Sequence, residues 1–134
     1  GKSIFDVWKM TLDEAIDFFE DIDKSITKVC ITASEIMLGH LQIGQATATL
    51  SGGENIRIKI MKASKSTAKV IGVDEPFKGL SNIEIDAVAN YLNRIREKGK
   101  TLIVIDHSTG VEDYFSQWIQ IENIDNRLIG KQFK

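Results

Sequence analysis

The chain has 134 residues, 43% hydrophobic and 27% charged, the size and balance of one globular domain with a core of its own. Its net charge of −2 leaves no chain-wide basic footprint for nucleic acid, so any such surface is local or lies outside these residues. The single cysteine, Cys30, excludes an internal disulfide and a multi-cysteine zinc site and fits a reducing cytoplasm; neither a membrane-length apolar run nor a secretory signal is visible.

With Gly1-Lys2-Ser3 at its start and no initiator methionine, the chain reads as an excised piece. Residues 1–50 read as helical. Thr11-Leu12-Asp13-Glu14 has capping-box spacing, and Ala15, Ile16, Phe18 and Phe19 form the apolar stripe behind it. A second helix is expected over Ser25–Leu38, with Gly39 ending it, and 44–50 as a connector. From Ser51 the texture changes. Ser51-Gly52-Gly53-Glu54 opens a helix, and Lys69–Val73 is a buried parallel strand ending in Asp74-Glu75. A helix over 82–98 closes at Gly99, and Thr101–Ile105 is a second buried strand ending in Asp106-His107. A short helix near 110–115 and a hairpin around Asp125-Asn126 complete the pattern. Helices alternating with strands argue for an α/β layer on a mostly parallel sheet, whose ligands bind beyond the strands' carboxyl ends.

Three constellations fall at that edge. Asp74, held at a strand tip, is placed to meet hydrated magnesium bridging nucleotide phosphates, and Glu75 to deprotonate or orient an attacking water. Ser51-Gly52-Gly53 leaves backbone N–H groups uncovered at a helix start, an anion cradle beside a serine hydroxyl and Glu54. His107 stands where an imidazole can donate to a terminal phosphate. Each alone has a bland reading: solvated acids before a proline turn, a flexible turn, a solvated histidine. Gly1-Lys2-Ser3 copies the end of a phosphate-binding loop but lacks the upstream strand and glycines. Cys30, His40, Trp8 and Trp118 read as packing or loop residues, Gln42 and Gln45 as poor nucleotide contacts. Arg57, Lys59, Lys62, Lys65 and Lys69 read as a solvated basic face.

In order and spacing, these motifs resemble the ATP-binding cassette (ABC) ATPases: Leu50–Glu54 their signature, Val70–Glu75 their Walker B strand, Phe77–Ser81 their D-loop, His107 their switch histidine. Met10-Thr11, Glu14-Ala15, Phe18-Phe19, Gly44–Thr47 and Thr49–Glu54 resemble, more narrowly, the family of DNA-damage-recognition subunits of the bacterial ABC excinuclease, in the C-terminal nucleotide-binding domain. Phe77-Lys78 in place of two threonines, Ser81, Gly72 and Asp106 mark a divergent paralogue.

The resemblance implies a P-loop-NTPase-like half-domain. Residues 1–50 lead into the signature; 51–134 carry signature, Walker B, D-loop and switch histidine, and the P-loop half is absent. It also implies a parent that couples ATP and Mg2+ to DNA binding, with a second nucleotide-binding half as partner, no membrane segment and no zinc on this segment. Asp74 would then hold magnesium through water, Glu75 act as base and His107 sense the γ-phosphate, while Ser51, Gly52, Gly53 and Glu54 cap ATP held by the opposite half. A non-catalytic ABC-like interaction module, favoured by Phe77 and Lys78, and a drug-resistance or transport cassette are the alternatives.

Overall fold

The computed structural model describes residues 1–125 and 127–133. The chain opens with α1 (Ile4–Lys9), α2 (Leu12–Phe19) and α3 (Lys24–Glu35), each started by a side chain that satisfies orphan N–H groups. Ser3 and Asp6 form a capping box on α1, so Gly1-Lys2-Ser3 is a helix start. The Thr11 hydroxyl accepts from the Glu14 N–H at 3.1 Å while the Glu14 carboxylate accepts from the Thr11 N–H at 2.9 Å, as the spacing predicts.

The end of α3 corrects the expectation of a glycine stop. The helix ends three residues early, and Met37, at φ 62°, takes the left-handed position. The Leu38 N–H donates to Ala33 and the Met37 N–H to Ser34, the paired bonds of a Schellman turn. Burying Leu38 completely offsets the backbone cost at Met37. Gly39 serves a different need: a Cβ there would collide with the Asp13 carboxylate. Residues 39–44 then run back along 8–13, where Leu12 and Asp13 donate to Leu41 and Gly39, and Ile43 and Gly44 donate to Met10 and Trp8. Trp8 is a half-exposed ring laid against Gly44 rather than a buried anchor.

The second half follows the predicted order: α4 (Gly52–Ser64), β1 (Val70–Asp74), α5 (Asn82–Glu97), β2 (Thr101–Ile105), then β3 (Trp118–Ile124) and β4 (Arg127–Phe133). The short helix near 110–115 is a single 3-10 turn, Glu112–Tyr114. β1 and β2 are parallel and in register from Val70↔Thr101 to Asp74↔Ile105, while β3 and β4 form a separate antiparallel hairpin; Asn126, in its expected turn, lies outside the described residues.

One core joins both halves. Ala33, Ile36, Leu38 and Leu41 pack with Ile60, Ile71, Val73, Phe77, Val88 and Leu92. Arg94 grips Glu35 with two bonds at its edge. The strands depart from the expectation of burial on both faces. Ile71 and Val73 are buried, but Val70, Ile103 and Ile105 are each more than half exposed, so only one face of the β1–β2 pair is covered.

Because its cap satisfies two backbone donors, Thr11→Ala should lower the unfolding free energy in urea by about 1 kcal/mol, whereas Thr11→Ser should stay within about 0.5 kcal/mol of the parent.

Candidate functional site

The rim at the carboxyl ends of β1 and β2 is built by one irregular residue. Glu75 has φ 50°, and its N–H donates to the Ile105 carbonyl at 2.7 Å, extending the ladder one step past the strands. The left-handed turn drives Pro76 and Phe77 into the core, where Phe77 is 1% exposed and lies 6.3 Å from the Phe115 ring. The Glu75 carboxylate is left at the surface. Asp106 fixes the turn from the neighbouring strand: its carboxylate accepts from the Phe77 N–H at 3.1 Å and from the Ser108 N–H at 2.8 Å.

This arrangement brings two predicted site residues together. His107 Nε2 lies 3.9 Å from Glu75 Oε1, on the same rim. Asp74, one residue earlier, is exposed, and among the described residues no hydrogen bond engages its carboxylate. An unengaged carboxylate at a strand tip suits a hydrated divalent cation, which prefers oxygen donors and keeps several waters.

A third group, absent from the expected site, completes the rim. Lys78 Nζ donates to Glu75 Oε2 at 2.8 Å. The bond to that carboxylate holds the Lys78 ammonium's pKa above the ordinary lysine value. Glu75 thus faces the Lys78 ammonium at one oxygen and the His107 ring at the other.

The signature turn lies on the other side of Lys78. Ser51 caps α4, its hydroxyl accepting from the Glu54 N–H at 3.2 Å, and the Glu54 carboxylate returns to the Ser51 N–H at 2.8 Å. The other Glu54 oxygen meets His40 Nε2 at 3.0 Å, so His40 is part of the site's frame. These two bonds, the Ser51 backbone N–H first and His40 next, hold the Glu54 carboxyl below its ordinary pKa.

Beneath the turn, Gly53 is required by close approach: a Cβ would stand 2.7 Å from the Lys78 carbonyl. Arg57 corrects the reading of a solvated basic face, because it alone of that run points inward and is 5% exposed. Its Nε and Nη1 find no acceptor among the described residues, a costly state for a buried cation. Burial pulls the guanidinium's pKa down, opposed by Glu54 and Glu84. Ser51–Glu54, Arg57, His40 and Lys78–Leu80 line one open cavity of about 690 Å3.

Sequence reasoning missed Lys78, Asp106, Arg57 and His40 as parts of the site. Lys78 and Asp106 left a signal there, each as a departure from the residue usual in the resembled family. Cys30, by contrast, is a buried thiol whose pKa burial raises, as expected of a core residue. Among the described residues no helix is long and apolar enough to cross a membrane, and no group of three or more metal-ligating side chains occurs.

Known proteins match this arrangement. UvrABC system protein A of Rickettsia bellii is 40% identical over 114 residues, which are 83% of this chain and 12% of that protein. The Staphylococcus epidermidis protein of the same name is 41% identical over 114 residues, with the same shares covered. The chain therefore spans about an eighth of the length of the curated relatives it matches. The crystal structure of UvrA2 from Deinococcus radiodurans superposes with a TM-score of 0.83 at 32% identity, over 98% of this chain and 17% of that one. A solved SMC ATPase, at 15% identity, shares the fold alone, with a TM-score of 0.55 over 69% of this chain and 62% of the other. No family model matches the chain.

Glu54, with its pKa held below the ordinary value of about 4.3, contributes stability that is complete above that pH and lost as pH falls through its folded pKa. Glu54→Gln should therefore be less stable than the parent to urea at neutral pH, and the gap should close as pH falls through the Glu54 folded pKa, while a Glu97→Gln control should track the parent throughout, as followed by circular dichroism.

Proposed function

The chain is homologous to a segment of UvrABC system protein A and has the fold of an ATP-binding cassette; on that premise we propose that it supplies the signature, Walker B and switch-histidine parts of an ATPase site. The observation that carries this reading is the convergence of Glu75 and His107 on one rim, 3.9 Å apart, next to Asp74. Residues 1–134 contain no Gly-rich loop ending in Gly-Lys-Ser/Thr that follows a strand. The phosphate-binding loop must come from another segment or another chain, and the bare outer face of β1 and β2, with Val70, Ile103 and Ile105, is where such a segment would pack.

In the assembled site Asp74 would hold Mg2+ through water, and the chemistry such an ion supplies when bound is neutralisation of phosphate charge. Glu75 accepts a proton from the water that attacks the γ-phosphate. His107 donates to a γ-phosphate oxygen and orients it. Ser51 and the N–H groups of Gly52 and Gly53 receive the phosphates of ATP bound on the opposite half, at the positive end of α4. The buried Arg57 supports that turn from below with its own charge.

DNA enters through the relatives. The SMC ATPase structure concerns ATP-driven dimerization and DNA-stimulated activation. By the kinship with UvrABC system protein A, the parent of this segment closes two halves around ATP and couples closure to DNA in the cytoplasm, through a surface that is local here or lies outside these residues, since the chain's net charge is −2.

The isolated chain should show no ATP turnover. Combined with the P-loop-bearing segment it should hydrolyse ATP, and Glu75→Gln should cut kcat by about 10²–10⁴-fold. Steady-state phosphate release checks both, and Glu75-dependent turnover by the 134 residues alone would overturn the reading.

A further inference from the structure

We infer that Lys78 is a switch between the two nucleotide positions: it holds Glu75 while the signature cradle is empty and transfers to the polyphosphate when the cradle fills. The inference rests on the reading of Glu75 as the base and Ser51–Gly53 as the cradle for the opposite half's nucleotide.

Three observations carry it. Lys78 Nζ bonds Glu75 Oε2 at 2.8 Å while its side chain stays 62% exposed, so it can leave without unpacking anything. Its backbone abuts the cradle, with the carbonyl 2.7 Å from where a Gly53 Cβ would stand. Lys78 is also one of the residues lining the cavity shared by Ser51, Gly52, Gly53 and Arg57.

Magnitudes decide between a permanent clamp and a switch. An exposed ion pair at this spacing shifts a population by about fivefold at most. A triphosphate in the cradle offers several negative charges to one ammonium, against a single charge on Glu75. The lysine therefore moves to the phosphate, and Glu75 Oε2 is freed to take a proton from water. Because the cradle serves the opposite half's ATP while Glu75 serves its own, filling one position arms the base at the other. That coupling produces cooperative turnover.

The test uses the complete ATPase, with both halves present, and ATP·Mg as the probe. Turnover of the parent should depend sigmoidally on ATP. Lys78→Met should bring the Hill coefficient close to 1 and raise the half-saturating ATP concentration about fivefold. Lys78→Arg should restore the parent's cooperativity. A hyperbolic parent curve, or a Lys78→Met curve that overlays the parent's, would sink the switch. Glu75→Gln separates the two claims. If it abolishes turnover while Lys78→Met changes nothing, the switch alone fails; if it leaves turnover intact, the reading of Glu75 fails with it.

Discussion

The site depends on one constraint, the parallel register that sets Asp74 opposite Ile105. Parallel pairing sends both strands to the same edge, so whatever follows each strand emerges at one rim. The Glu75 N–H to Ile105 carbonyl bond prolongs the pairing, and the left-handed backbone at Glu75 then separates side chain from main chain. The carboxylate stays at the rim while the next two residues enter the core. A slip of one residue would put Val73 on the bare face and Asp74 against the core, a change that buried Ile71 and Val73 oppose.

The forces that place the rim differ in size, and the difference matters for what can move. Burying Phe77 contributes about 1.5–3 kcal/mol, and the two bonds accepted by Asp106 fix the turn behind it. These set where Glu75 stands. The groups facing it, the Lys78 ammonium and the His107 ring, are exposed and hold it only weakly. Position is therefore set by packing and occupancy by weak charge contacts. The substitution of phenylalanine for threonine in the D-loop belongs to the first class: it fills the core beside Phe115 and leaves the rim open.

The signature side shows the opposite balance. Arg57 is buried with two nitrogens lacking acceptors, directly under a glycine whose neighbour is the Lys78 carbonyl. A cation in that position costs stability and is opposed only partly by Glu54 and Glu84. It places positive charge under the helix start that would receive phosphate, which adds to the α4 dipole. The Ser51–Gly53 turn and the Lys78–Leu80 segment are thus closely packed.

Sequence alone determined the features governed by local rules. The capping box at Thr11, the helix start at Ser51, the order of helices and strands after residue 51, Gly99 as a helix stop and the hairpin strands all follow from spacing within a few residues. The motif order, and with it the family, was legible for the same reason. Tertiary structure decided what depends on neighbours distant in sequence. Met37 took the left-handed turn because Leu38 had a core to enter and Gly39 had to admit Asp13. Arg57 turned inward because α4 packs that face beneath the D-loop, which helical periodicity alone does not reveal. The strands are covered on one side only, because among the described residues no helix covers Val70, Ile103 and Ile105. The pairing of Lys78 with Glu75 needed the backbone reversal at Glu75, a conformation that nothing in that side chain's chemistry prescribes.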